Sequence, residues 1–439
     1  MDLIYGIKDR PKIGQVILFA VQQLLAIMAA TIAVPAIIGH GLTASAALFG
    51  AGVGSIIYLL FTKSSSPVFL GSSFAFIGSM FSAFGGAASV TIGYWGLIIG
   101  AVMAGLVYVI IAVVVKFCGV KWIEKLMPPV IIGPTVAIIG LSLSGNAIGD
   151  AMRSSVEGGS TYVALICALV TLFVTMVCST YGKKIGKLIP FIIGILSGYI
   201  LASIFALIGY KSNNPALIVI NYDALKAVTN VFALPDFTFI KGGKEAFGAI
   251  DGKYILTLFS AYVPVAFVVF AEHLADHKNL SSIVGTNLLE EPGLTRTLLG
   301  DGIGSMVGAF FGGCPNTTYG ESIGCVAITR NASTVSIWGC AALCILFSLI
   351  SPLVAFLETI PACVMGGVCI ALYGFIAVSG FKMFQQVDLN KNKNLFVASV
   401  IFITGVGGMV VKFGAVEIRT VACALILGIV TNLILSKEE

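Results

Sequence analysis

CPNTTYGESIG, residues 314–324, interrupts an apolar stretch with a helix stop, a polar run and a carboxylate in quick succession. Pro315 ends a preceding helix, Asn316, Thr317 and Thr318 follow, and Gly320 and Glu321 come just before apolar residues resume. LGSSFAFIGS, residues 70–79, has the same character, with small residues leading to Phe74. Non-helical backbone at bilayer depth leaves N–H and C=O groups unsatisfied unless it is buried in protein or lines a cavity. We therefore expect each stretch to be an extended strand followed by a half-helix, within short broken segments at 72–86 and 317–329. The strand N–H groups would donate to a ligand carbonyl, and Glu321 would accept.

The bilayer context comes from composition. Hydrophobic residues make up 58% of the 439 and charged ones only 10%, with a mean hydropathy of +1.04, against about 25% charged in soluble domains. The fold class is an all-α polytopic membrane protein, partnered by the lipid bilayer and not by nucleic acid. At about 20 apolar residues per span, the length admits roughly a dozen or more spans and no large soluble domain. Lys8, Arg10 and Lys12 lead into an apolar run from Ile13 that is too long for a cleavable signal, so it is expected to stay as the first helix. The ten cysteines lie almost entirely in apolar stretches, without metal-site pairing, and read as packing residues. No metal, cofactor or catalytic residue is expected.

Apolar runs between turn signals give 14 transmembrane segments, at 13–38, 43–62, 72–86, 92–117, 127–145, 161–180, 188–209, 253–275, 297–312, 317–329, 333–357, 361–381, 394–411 and 415–435. With the N-terminus in the cytoplasm, 17 Lys and Arg fall on the cytoplasmic side and 8 opposite. Five of those 8 belong to the long 210–253 connection, and long loops cross largely regardless of charge, so the bias supports the layout. Both termini are then cytoplasmic. PPVIIGPTVAIIG (128–140) resembles PACVMGGVCIALYG (361–374), seven segments later. Seven is odd, so the second copy must be inverted: residues 1–210 form one repeat of seven, 211–252 an extracytoplasmic connection and 253–439 the second. Broken helices in matching positions of inverted repeats point to a transport site at the repeat interface.

Glu272 and Glu321 sit inside apolar stretches, where a charge costs about 2.5–3.5 kcal/mol on insertion scales and therefore faces a cavity, a partner or a substrate path. We read both as substrate-site residues of a transporter. Glu272 belongs to AYVPVAFVVFAEHLADHKN (261–279), where Asp276 follows one turn later on the same helix face and His273 and His277 fall on an adjacent stripe. Two carboxylates this close can share one proton, which makes them a coupling device. Glu272, Asp276 and His277 are the proton-coupling candidates, although His277 and Lys278 read more simply as the solvated cytoplasmic end of the helix.

GSSFAFIGS, FAEHLADH and CPNTTYGESIGCVAITR resemble the nucleobase/ascorbate transporter family (nucleobase:cation symporter-2), and within it the uracil-permease branch. The resemblance runs from residue 14 to the last segment. It implies a substrate-binding core of segments 1–4 and 8–11 (about 13–117 and 253–357) and a gate of segments 5–7 and 12–14 (about 127–209 and 361–435). It also implies proton-coupled uracil symport across an inner membrane, with uracil held by Phe74, Glu272, Glu321 and the backbone at Gly320. Ser73, Thr318, Tyr319, Ser322 and Tyr373 would support the site, and a homodimer would be consistent with the family. Three positions depart from its pattern: Asp276 in place of a histidine, Ser322 in place of an Asn, and Gln22-Gln23 in place of a Gln-His pair. The chemistry suits uracil, whose two N–H donors match carboxylates and whose ring face matches Phe74. A xanthine or purine transporter of the same family, an anion exchanger of similar architecture, and a cation channel lined by the buried carboxylates are the alternatives.

Overall fold

The computed structural model describes residues 3–119, 122, 127–183, 185–413 and 416–437. Lys121, Lys125 and Lys184, counted above among the cytoplasmic charges, and residue 415, the start of the last predicted segment, lie outside the described residues. The chain is helical almost throughout. Its first half runs α1 (Ile13–Ile38), α2 (Ala44–Phe61), β1 (Leu70–Ser72), α3 (Ile77–Gly85), α4 (Val90–Cys118), α5 (Pro129–Ser142), α6 (Thr161–Tyr181) and α7 (Pro190–Ser212). The second half runs α8 (Gly252–Val284), α9 (Leu294–Gly312), β2 (Asn316–Thr318), α10 (Gly320–Thr329), α11 (Thr334–Ser348), α12 (Ala362–Phe384), α13 (Asn392–Val406) and α14 (Thr420–Ile434). Among the described residues, eight helices are long and apolar enough to cross a membrane, and α11, α13 and α14 are shorter apolar helices. A second small hairpin, β3 (Val411–Phe413) with β4 (Val416–Ile418), precedes α14.

Both broken segments take the expected form of a three-residue strand followed by a short helix. The strands pair with each other, antiparallel, with Leu70 opposite Thr318 and Ser72 opposite Asn316. This solves the backbone problem that the sequence posed, because at bilayer depth each strand satisfies the other. The outer edge of β1 is completed by side chains. Ser55 on α2 accepts from the Leu70 N–H (2.8 Å) and donates to the Leu70 carbonyl (3.1 Å), and the Ser322 hydroxyl accepts from the Phe69 N–H at 3.0 Å.

Close helix contact builds the frame around this sheet. Glycines of α2 face glycines of α9: a Cβ on Gly50 would meet the Gly308 carbonyl, and one on Gly304 would meet the Gly54 carbonyl. Small residues let backbones approach where lipid offers no hydrophobic drive for association. α2 and α9 pack against α4 and α11, while α5 and α12 pack against α6, α7, α13 and α14, so the helices gather into two groups. The 211–252 connection carries short helices and is tied down by Trp95 donating to the Gly243 carbonyl (2.8 Å) and by Lys241 donating to the Gly41 carbonyl (2.5 Å).

Candidate functional site

The paired strands and the first turns that follow them end at a cavity of about 390 Å³, between the two helix groups. That volume falls in the ordinary range for small-molecule sites, about 300–1,000 Å³. Phe74 reaches it from the turn after β1, Glu272 and Asp276 from one face of α8, and Gly320 and Glu321 from the first turn of α10. Ser73, Thr318 and Tyr319 also line it. The opposite wall is apolar and comes from α5, α7 and α12, with Ile139, Phe191 and Leu372 among its residues.

Several of the polar groups are held by definite partners. Thr318 donates its hydroxyl to Asp276 Oδ2 at 2.7 Å, which aims the carboxylate along the strand. Tyr319 donates to the Ser72 carbonyl at 2.7 Å and packs its ring over Gly71, where a Cβ would collide with it. Phe74 is buried and meets the Tyr373 ring edge-on, with centroids 5.7 Å apart at 78°. Tyr373 thus supports Phe74 from behind and does not line the cavity. Ser322 also lies outside it. Its hydroxyl accepts from Gln23 on α1 as well as from Phe69, so it joins α10, α1 and β1.

Two expectations need correction. Strand pairing takes up alternate N–H groups of the two strands, the Leu70 N–H goes to Ser55 and the Ser73 N–H to the Pro315 carbonyl at 2.9 Å, so these are not free for a ligand. Gly320 and Glu321, in the first turn of α10, also stand on the cavity, where helix N–H groups lack intrahelical partners by position. A Cβ on Gly320 would meet no atom within 4 Å, so the approach to this backbone is open.

His277 is the second correction. It is 1% exposed, where a solvated helix end was the simpler reading. Its Nε2 pairs with the Tyr58 hydroxyl on α2 (2.7 Å), its Nδ1 donates to the His273 carbonyl (2.9 Å), and it faces away from the cavity. Helical periodicity separates the stripes: residues 272 and 276 face the cavity while 273 and 277 enter the α2–α9 interface.

One buried carboxylate was missed. Asp301, in LTRTLLGDGIGSMVGAFFG, is fully buried, and its Oδ2 lies 2.6 Å from His273 Nδ1. The signal was the one that singled out Glu272, an acid inside an apolar helix. Among the described residues no group of acids, histidines and cysteines could hold a metal ion.

A multi-pass membrane protein with a solute-sized cavity walled by carboxylates at a helix break belongs, as a class, with membrane transport proteins. The chain belongs to the Permease family, whose model matches residues 14–413. It is 38% identical to the uracil permease of Bacillus caldolyticus over 98% of this chain and 94% of that one, and 38% identical to the uracil permease of Escherichia coli (strain K12) over 98% and 93%. This bears out the family read from the motifs, and the protein is a transporter, not an enzyme. In fold it is similar to the transmembrane domain of the cyanobacterial bicarbonate transporter BicA, with a TM-score of 0.65 at 15% identity, covering 97% of this chain and 99% of that domain.

Proposed function

We propose that the protein carries uracil across the bacterial inner membrane together with a proton, by alternating access. The observation that carries this reading is the convergence of Phe74, Glu272, Gly320 and Glu321 on one cavity, in a chain akin to uracil permeases over nearly its full length. Uracil presents two N–H donors, two carbonyl acceptors and a flat ring. Glu272 and Glu321 accept from the nitrogens, the N–H groups at the start of α10 donate to a carbonyl, and Phe74 packs on the ring. Glu272 and Asp276, one turn apart, share the coupled proton, and protonation and uracil favour the same conformation.

Two inverted repeats of seven segments, α1–α7 and α8–α14, supply the moving parts. Matched packing supports this division. The α1–α11 contact has its counterpart in α8–α4, α2–α11 in α9–α4, α6–α7 in α13–α14, and α5–α13 in α12–α6. The core is then α1–α4 with α8–α11, and the gate is α5–α7 with α12–α14.

A second cavity of about 300 Å³ supports alternation. It lies between the same two groups, with Asn146 and Thr420 in its wall, and Phe74, Ala75 and Ile139 line both cavities. Lys187, from the basic cytoplasmic loop, stands on the substrate cavity, so that cavity opens inward and the thin partition at Phe74 and Ile139 closes it outward. A homodimer in the membrane completes the proposal.

Calorimetric titration of the purified protein tests the site. Cytosine presents a ring acceptor where uracil presents an N–H, and should bind at least about tenfold more weakly, because a carboxylate is left facing a lone pair. Equal affinity for the two, or preference for xanthine, would overturn the substrate assignment.

A further inference from the structure

Behind the cavity wall lies a polar cluster that the transport site does not use. Asp301 on α9 and His273 on α8 are both fully buried and 2.6 Å apart. His273 Nε2 lies 3.0 Å from the Thr297 hydroxyl, which is also 3.1 Å from the Leu294 carbonyl. Turned to Nε2, the one hydrogen of Thr297 leaves His273 protonated at Nδ1. The 2.6 Å contact is then Nδ1–H donating to Asp301 Oδ2, whether or not the carboxyl carries a proton on its other oxygen.

Among the described residues the other oxygen of Asp301 has no hydrogen-bond partner, and neither has the hydroxyl of Tyr108 on α4, itself 4% exposed. A buried polar atom left unpaired is destabilising, so two whose residues line one void call for a common partner. Asp301 and Tyr108 line a void of about 10 Å³ together with Ser305, Asn316 and Thr317. That is the least room that takes one water, about 10–15 Å³. Thr317 also lines the substrate cavity, so β2 is the partition between the two spaces.

We propose that the Asp301–His273 pair, joined to the substrate cavity by one water held between Asp301 Oδ1 and the Tyr108 hydroxyl, is a second proton station of the transport cycle. Tyr108 donates to the water, which accepts from Asp301 Oδ1 when that oxygen is protonated and donates to it when it is ionised. On release, the proton passes from Asp301 Oδ1 to the water oxygen, and the resulting hydronium gives it up past Thr317 toward the cavity. The pair is left as carboxylate and neutral imidazole, and uptake is the reverse. Only O–H bonds form and break. The titratable groups around the pair are Glu272, Asp276 and His277 on α8, Tyr58 on α2 and Tyr108 on α4; β2 contributes only Asn316 and Thr317.

The inference rests on proton-coupled uracil transport, and its test separates the two. Wild-type protein, Tyr108→Phe and Asp301→Asn are placed in vesicles. Uracil accumulation under an inward proton gradient is measured alongside uracil counterflow, which needs no net proton movement. Tyr108→Phe keeps the ring and removes only the hydroxyl, so it covers the case in which Asp301→Asn does not fold. Accumulation should drop about tenfold while counterflow stays near wild type, within ordinary coupling free energies. Unchanged accumulation in Tyr108→Phe, or accumulation and counterflow falling in parallel, would overturn the station. Failure of the wild type to accumulate uracil would instead overturn the transport reading beneath it.

Discussion

Glu272 stands on the cavity with Asp276 one helical turn away, and Asp276 is aimed by the Thr318 hydroxyl. Glu272→Gln keeps the shape but replaces two acceptor oxygens by one and removes the proposed proton site. Uracil affinity should fall about tenfold or more on titration, in line with loss of a charged hydrogen bond, and gradient-driven uptake should fall to the leak level. Ser322→Ala makes a different prediction, because Ser322 serves the frame and not the ligand. It leaves the Phe69 N–H without its acceptor, which costs about 1–3 kcal/mol. A lower melting temperature with near-normal uracil affinity should result, and thermal unfolding beside titration would show it. At this scale the sequence was legible where one rule sufficed: an acid in an apolar helix marked Glu272 and Glu321. The same rule applies to Asp301, in an apolar helix of its own. The role of Ser322 depends on Gln23 and Phe69, both distant along the chain, and no local pattern reveals it.

The broken segments show what a pattern can and cannot say about an element. Pro315, the small residues around Gly71 and the return of apolar residues after Glu321 marked strand and half-helix in each broken segment, and the structure has both. Their pairing was out of reach, since β1 and β2 come from opposite halves of the chain. The α2–α9 frame beneath the sheet depends on the absence of side chains. Gly308→Leu would drive a side chain into Asn316, whose amide donates to the Gly50 carbonyl at 3.0 Å. Overpacking of this kind costs about 1–3 kcal/mol or more. The expected outcome is a lower yield of monodisperse protein on gel filtration, with Gly308→Ala less affected than Gly308→Leu.

The whole molecule is two helix groups meeting at a cavity, and Phe74 and Ile139 form the boundary between that cavity and a second one on the other side. Ser379 lies on the first and Asn146 on the second. Ser379→Cys should react with an impermeant thiol reagent from the cytoplasmic side and Asn146→Cys from the outside, and saturating uracil should slow the Ser379→Cys reaction about tenfold if it occupies the cavity. Composition was enough to place the protein in the membrane, and the resemblance between 128–140 and 361–374 was enough to suggest two halves. The division into two packing groups depends on contacts between segments far apart in sequence, which hydropathy does not record. The central claim is best tested by uptake of labelled uracil into vesicles of the purified protein in sodium-free buffer, with an inward proton gradient imposed and then collapsed by an ionophore. The account predicts accumulation that rises with the gradient and disappears on its collapse. Accumulation indifferent to the gradient, or none of uracil while another solute is taken up, would contradict it.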